Sequence, residues 1–171
     1  LYGETKHAFA LQVLNEIIGG GTTSRLYQSL VVDKSLAVAA GSWYRAESIG
    51  PSVFGFYASP QEGVSIELLE NGIEREIRQV LKDGVTKEEV RAAITRLQRT
   101  AIFAKDSVTA PARIIGSALA SGRSVHDIED WPDKISKVSK DDVIAAAEWV
   151  FRINRSVTAT LLPTSVTQRK P

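Results

Sequence analysis

Three consecutive glycines, Gly19-Gly20-Gly21, separate two apolar runs near the start of this chain. Ala8, Leu11, Leu14, Ile17 and Ile18 recur at helical spacing before them, and Arg25-Leu26-Tyr27 leads into a second run after them. Glycine takes φ > 0 without a Cβ penalty and lets another backbone come close. The stretch therefore reads as the end of one helix and the turn into the next. A phosphate-binding loop would follow a strand and end in Gly-Lys-Ser/Thr. Here a helical run precedes the glycines and no lysine stands near Gly21, so the turn is the expected reading. Ser24 is the candidate N-cap of a short helix from Arg25 to about Val32.

The first helix covers Glu4 to Ile18. Beyond the glycine turn, Ala37 to Arg45 and Ser52 to Ser59 read as extended. The second alternates, with Phe54, Phe56 and Ala58 on one face and Val53, Gly55 and Tyr57 on the other. Glu47-Ser48-Ile49-Gly50-Pro51 between them makes an antiparallel hairpin the natural pairing. Val64 to Lys82 carries a stripe of Ile66, Leu69, Ile73, Ile77, Val80 and Leu81, and Asp83-Gly84 ends it. Thr86 and Glu89 form a capping box for a helix that turns Val90, Ala93, Ile94, Leu97 and Ala101 inward. A further helix starts near Pro111 and runs to Gly122, and Ser124 to Val138 is helical with a break at Trp131-Pro132. Ser139-Lys140-Asp141-Asp142 opens the last helix. Ser156 to Leu162 reads as a β-branched strand, and Thr164 to Pro171 as a polar tail.

The fold class is therefore α+β: a mostly antiparallel sheet with helices packed on one face, forming a single domain over residues 1–163 with a tail at 164–171. Three strands are few for so many helices. A further strand upstream of Leu1, or a sheet edge supplied by another domain, is expected. The chain begins at Leu1 and contains no methionine, so it reads as a piece of something longer.

Several chemistries are excluded or left without residues. With no cysteine there are no disulfides, thiolate nucleophiles or cysteine zinc sites. Twenty-one basic and 20 acidic residues leave a net charge of +1, so no nucleic-acid or acidic-membrane partner is expected from charge. No apolar run approaches the roughly 20 residues of a membrane helix. His7 and His126 lie far apart, outside any His-Glu-x-x-His pattern or its inverse, and no metal ligand is expected. The carboxylate pairs Glu88-Glu89, Glu129-Asp130 and Asp141-Asp142 sit at helix starts, which favour acids, or on helix surfaces. Trp43, Tyr44, Phe54, Phe56 and Tyr57 read as core or partner-facing aromatics, because no basic surround accompanies them. No catalytic residue is expected.

Four segments in order carry a resemblance: Ala10 to Gly21, Ser24 to Leu30, Asp83 to Val90, and Ile135 to Val143 before a final Leu161-Leu162-Pro163. Together they resemble the C-terminal, non-zinc domain of the pitrilysin/insulinase family of zinc peptidases, in its bacterial processing-peptidase-like branch. The resemblance implies a domain that closes a peptide-holding chamber. Zinc is not expected in this chain but in a homologous zinc-binding domain or subunit, the expected partner in a dimer, which carries His-x-x-Glu-His. A peptide is the implied substrate, and either the bacterial cytoplasm or the periplasm fits. In that family an Arg and a Tyr, seven apart, often follow the Ser-Arg-Leu-Tyr segment and are thought to hold the substrate backbone. Their places fall on Val31 and Val38, which have no side-chain donor, so the substrate-binding residues stay unknown. Arg25 and Tyr27 lie elsewhere in the pattern. A non-catalytic structural homologue, like the core proteins of the respiratory bc1 complex, and a generic ligand-binding α+β domain are the alternatives.

Overall fold

Helix α1 (Ala8–Gly19) is the centre of the computed structural model, which describes residues 6–46 and 48–162. It is apolar on more than the expected face: Ala10 and Val13 are buried along with Leu11, Leu14, Ile17 and Ile18. A helix buried on most sides must still satisfy its polar residues, and α1 uses a different neighbour for each of three. Gln12 accepts from Trp131 Nε1 at 2.9 Å. Asn15 Oδ1 accepts from Ser42 Oγ at 2.9 Å, and Glu16 pairs with Arg96 Nε at 2.7 Å.

After α1 the chain forms a π-helical segment (Tyr27–Asp33), then β1 (Ala37–Tyr44) and β2 (Phe54–Pro60), which pair antiparallel. Ala40 pairs with Ala58, Ser42 with Phe56 and Tyr44 with Phe54; the register shifts between Ala37 and Ala39, leaving Val38 as the bulged residue. The helical layer follows: α2 (Ile66–Asp83), α3 (Lys87–Ala104), α4 (Ala110–Ala120), α5 (Val125–Glu129), α6 (Trp131–Ser136) and α7 (Lys140–Val150). Leu14, Ile18, Leu26, Leu30, Val80, Val85, Ile135 and Val143 are fully buried where these elements meet.

The helix starts follow their capping residues. Thr86 and Glu89 form the expected capping box, with Glu89 Oε2 accepting from the Thr86 backbone at 2.7 Å. Ser139 and Asp142 do the same for α7, as do Ser124 and Asp127 for α5. Pro111 lies in the first turn of α4, and the break near Trp131-Pro132 appears as the start of α6.

Two expectations are corrected. Ser156–Leu162 is not a strand: Ile153–Arg155 is a 3-10 turn, and 156–162 runs on unpaired and exposed. Its β-branched composition is right for a strand, but the described sheet has two strands and neither pairs with it. Ser24 also does not cap through its side chain. Its carbonyl accepts from Gln28 N at 3.0 Å, which starts the helix, but its hydroxyl is turned inward, buried and without a partner. The tail Thr164–Pro171, Pro163 and Glu47 of the hairpin turn lie outside the described residues.

Candidate functional site

The triple glycine leads into the segment where the resemblance places substrate-holding side chains. Gly19 is the last residue of α1, and a Cβ there would overlap the backbone nitrogen of Ser42 in β1. Gly21 takes φ +150°. Close approach to the sheet therefore sets the first glycine, and chain reversal the last.

Beyond the turn, Arg25 is committed to a structural task. It forms a bidentate pair with Glu89, at 2.7 and 2.8 Å, and donates to the Gly84 carbonyl at 3.1 Å. This ties the glycine turn to the start of α3. Burial works to raise the Glu89 carboxyl. The hydrogen bonds from Arg25 and Thr86, with the Arg25 charge, outweigh it and hold the group below the ordinary carboxylate range.

The π-helical segment is pinned to α2. Ser29 Oγ donates to Glu76 Oε1 at 2.5 Å, and Lys34 Nζ donates to Ser29 Oγ at 2.6 Å and to Glu76 at 3.3 Å. A serine beside a lysine invites a nucleophile reading. Here Ser29 Oγ and Lys34 Nζ both donate to Glu76, which is buried on α2, so the group is a clamp. Lys34 N bonds to the Ser29 carbonyl at 3.1 Å, the five-residue spacing of a π turn, and Ser35 follows at φ +50°. This wide turn sets how Val31 and Val32 precede β1. Val31 is half-buried against the core, whereas Val38, at the bulge, is 58% exposed. Of these two valines, the places to which the resemblance carries the Arg and the Tyr, only Val38 is exposed.

The hairpin divides its aromatics between two faces. Tyr44, Phe54 and Phe56 lie on the core side, where Phe151 meets Phe54 edge-on at 5.3 Å and Phe56 at 5.6 Å. Burial pushes the Tyr44 phenol up. Trp43 and Tyr57 lie on the other face, 43% and 54% exposed. Each crosses a glycine on the opposite strand: a Cβ on Gly41 would come to 2.6 Å from the Tyr57 hydroxyl, and one on Gly55 would overlap the Trp43 indole. Arg45 lies 5.9 Å over the Trp43 ring. The sequence left all five aromatics as core or partner-facing, and the structure puts Trp43 and Tyr57 on the open face. The signal was present in the alternation, because Gly41 and Gly55 each pair with an aromatic residue.

Between the hairpin turn and α4 an open cleft of about 860 Å³ is lined by Gln12, Tyr44, Arg45, Ile49, Ser117 and Ser121 among others. Arg45 is the one charged residue in its described lining. His7 stacks on Trp149 at 5.3 Å, and exposed His126 approaches Asp130 at 3.4 Å. Among the described residues no group of three His, Cys, Asp or Glu could hold a metal ion, and no helix is long and apolar enough to cross a membrane.

These features describe an α+β domain with a helical cover on one side and an aromatic sheet face on the other. The sequence profile of the family described as the peptidase M16 inactive domain matches residues 2–97. The chain belongs to that family, the one to which the ordered segments pointed. It is 30% identical over 150 residues to an uncharacterized zinc protease of Rickettsia felis, a match covering 88% of this chain and 36% of the relative. Among solved structures it is similar to an inactive peptidase domain from Bordetella parapertussis, with a TM-score of 0.83 at 18% identity, covering 96% of this chain and 88% of that one. It is also similar to a protease from Helicobacter pylori, with a TM-score of 0.78 at 21% identity, covering 87% of this chain and 35% of that one. At these identities the structural likeness shows the fold. The chain spans about a third of the length of the curated relatives it matches (36%, 36% and 31%).

Proposed function

We propose that this chain is the inert, chamber-closing and peptide-holding part of a zinc metalloendopeptidase, with hydrolysis carried out by a zinc domain outside it. One observation carries this reading: a chain of the inactive-domain family spans about a third of relatives named as zinc proteases. Zinc bound in that other domain would supply an activated water for peptide hydrolysis. The contribution of this chain is binding and enclosure. We assign the peptide-facing surface to the open hairpin face, where Trp43 and Tyr57 offer flat apolar area and a hydroxyl and Val38 stands exposed at the bulge. The partner is a homologous zinc-binding domain or subunit, as a dimer. With valine at positions 31 and 38, that partner also supplies the polar grip on the peptide backbone.

The test is a cleavage assay on unfolded peptides with added zinc. The 171-residue chain alone is expected to release no product, and the full-length protein, with any separate zinc subunit, to show turnover that a chelator abolishes. Zinc-dependent turnover by this chain alone overturns the proposal. The same two valines also favour a second reading, a non-catalytic structural homologue. That reading predicts no His-x-x-Glu-His in the rest of the protein and no turnover at any length.

A further inference from the structure

The cleft between the hairpin turn and α4 has hydrogen-bond donors to spare and no acid in its described lining. Arg45 is the one charged group there, and Tyr44, Ser48 and Ser117 add hydroxyls. Arg25 and Arg96 spend their charge on Glu89 and Glu16. Arg45 does not: among the described residues its guanidinium meets the Trp43 ring, 5.9 Å from the centroid, and no carboxylate. The lining holds a single side-chain carbonyl, Gln12 Oε1, and Trp131 Nε1 already donates to it at 2.9 Å. A cation entering this cleft would meet a like charge and no carboxylate. An anion would meet a planar guanidinium whose donors match a carboxylate two at a time.

The cleft is also continuous with the open hairpin face. Trp43 and Arg45 lie two residues apart and share that side, whereas Tyr44 between them belongs to the core side and still reaches the lining. The cleft thus wraps the end of the hairpin, where the two faces meet. Its opposite wall is α4, which offers the small side chains of Ser117, Ala120 and Ser121 and leaves the space of about 860 Å³ open. A chain lying across Trp43 can turn one side chain, or its own end, into that space.

We propose that this cleft is a subsite for a carboxylate of the bound peptide, either an Asp or Glu side chain or the C-terminal group. Arg45 pairs with the carboxylate, and the hydroxyls of Ser48 and Ser117 are at hand as further donors. The inference rests on the peptide-facing role given above to the open hairpin face, and it adds a preference: peptides that carry a carboxylate beside an apolar residue able to cover Trp43.

The test reads binding apart from cleavage. Labelled peptides are titrated by fluorescence anisotropy onto the full-length protein, with any separate zinc subunit, after a chelator has stopped hydrolysis. The peptides share one apolar sequence: a neutral form with an amidated end, forms with a Glu scanned through the same amidated sequence, and a form with a free C-terminal carboxylate. A carboxylate peptide is expected to bind about tenfold tighter than the neutral one, and whether a Glu form or the free-acid form does so identifies the source of the group. In Arg45→Gln that difference is expected to vanish. Equal binding of all forms overturns the carboxylate subsite and leaves the peptide-facing surface standing. A preference that survives Arg45→Gln overturns it as well, because the anion is then held elsewhere. Binding of no peptide overturns both readings, whereas carboxylate-selective binding by a protein that never turns over keeps the subsite and removes the peptidase.

Discussion

On the covered face of the hairpin, Ser42 lies against the backbone of Gly19 at the end of α1, and its hydroxyl bonds to Asn15. On the open face, Gly41 and Gly55 are small for another reason, because the side chains of Tyr57 and Trp43 lie across them. Both faces use glycine at a close approach. On the covered face the neighbour is backbone in a packed interior, which has nowhere to go. On the open face it is a half-exposed side chain that can swing into solvent. A close contact therefore fixes structure on one face and only shapes a surface on the other.

The largest expected effect comes from breaking the covered contact. Gly19→Ala drives a Cβ into the Ser42 backbone and pushes α1 off β1. We expect it to destabilise the domain by about 3 kcal/mol, read as a lower urea midpoint at unchanged slope. Leu14→Ala, a deletion at a fully buried position of the same helix, belongs in the same range, about 3 kcal/mol. If Gly19→Ala unfolds at the wild-type midpoint, the helix–sheet contact is not tight and the comparison fails.

Next comes a pair of truncations on facing sides. Phe54→Ala removes a ring that packs on Tyr44, Phe56 and Phe151, and should cost about 2 kcal/mol, less than a fully buried phenylalanine because Phe54 is only half-buried. Trp43→Ala should leave stability within about 1 kcal/mol, since the ring is already 43% exposed. In the full-length protein Trp43→Ala should instead raise KM for peptide several-fold with little change in kcat, the mark of lost binding that is equal in ground and transition states. An unchanged KM would remove the open face from the peptide-facing surface.

A third effect is acid-dependent and belongs to the covered side. Glu89 has a folded-state pKa below its unfolded value of about 4.3. Its pairing with Arg25 and Thr86 is therefore fully stabilising above that value and is lost as pH falls through the lower, folded pKa. Asp142 is lowered in the same direction by hydrogen bonds from the Ser139 side chain and backbone, and strengthens the trend. Glu89→Gln should destabilise by about 1 kcal/mol at pH 7, the screened value of a partly exposed pair plus its cap, and by nearly nothing near pH 2. A difference between mutant and wild type that does not shrink with acid would mean that the charge is not what anchors the glycine turn.

The elements that were legible in the sequence are those whose signals are local. Thr86 and Glu89, Ser139 and Asp142, Pro111, and the stripe from Ile66 to Leu81 each mark a helix through residues a few positions apart. The hairpin was legible because β1 and β2 alternate and a turn joins them. What was not legible depends on partners far along the chain. Tyr27–Asp33 reads as an ordinary helix, and its wide turn accompanies a clamp between Ser29, Lys34 and Glu76 that local spacing cannot reveal. Ser24 fits a cap by type, but its hydroxyl is buried by tertiary packing. Ser156–Leu162 has strand chemistry and no described neighbour to pair with. The candidate surface was partly legible: alternation already set Tyr57 opposite Phe54 and Phe56, whereas the glycines beneath Tyr57 and Trp43 needed the register.

The smallest expected effect is the most discriminating, because it asks the Gly19 question on the other face. Gly55→Ala places a Cβ within the present position of the Trp43 indole, an overlap comparable to that at Gly19. If the open face yields as argued, the indole rotates away and the strand gains a better β-former. The net change should then stay within about 0.5 kcal/mol of zero. The displaced indole should also become more exposed, since it loses the glycine surface it rests on and its contact with Arg45. Fluorescence quenching by acrylamide, in a background with Trp131 and Trp149 replaced by Phe, reads that exposure directly. A destabilisation approaching that of Gly19→Ala, with Trp43 quenching unchanged, would show that the indole is held as firmly as backbone. The open face would then be a packed surface awaiting a fixed partner, not an adaptable one suited to varied peptides.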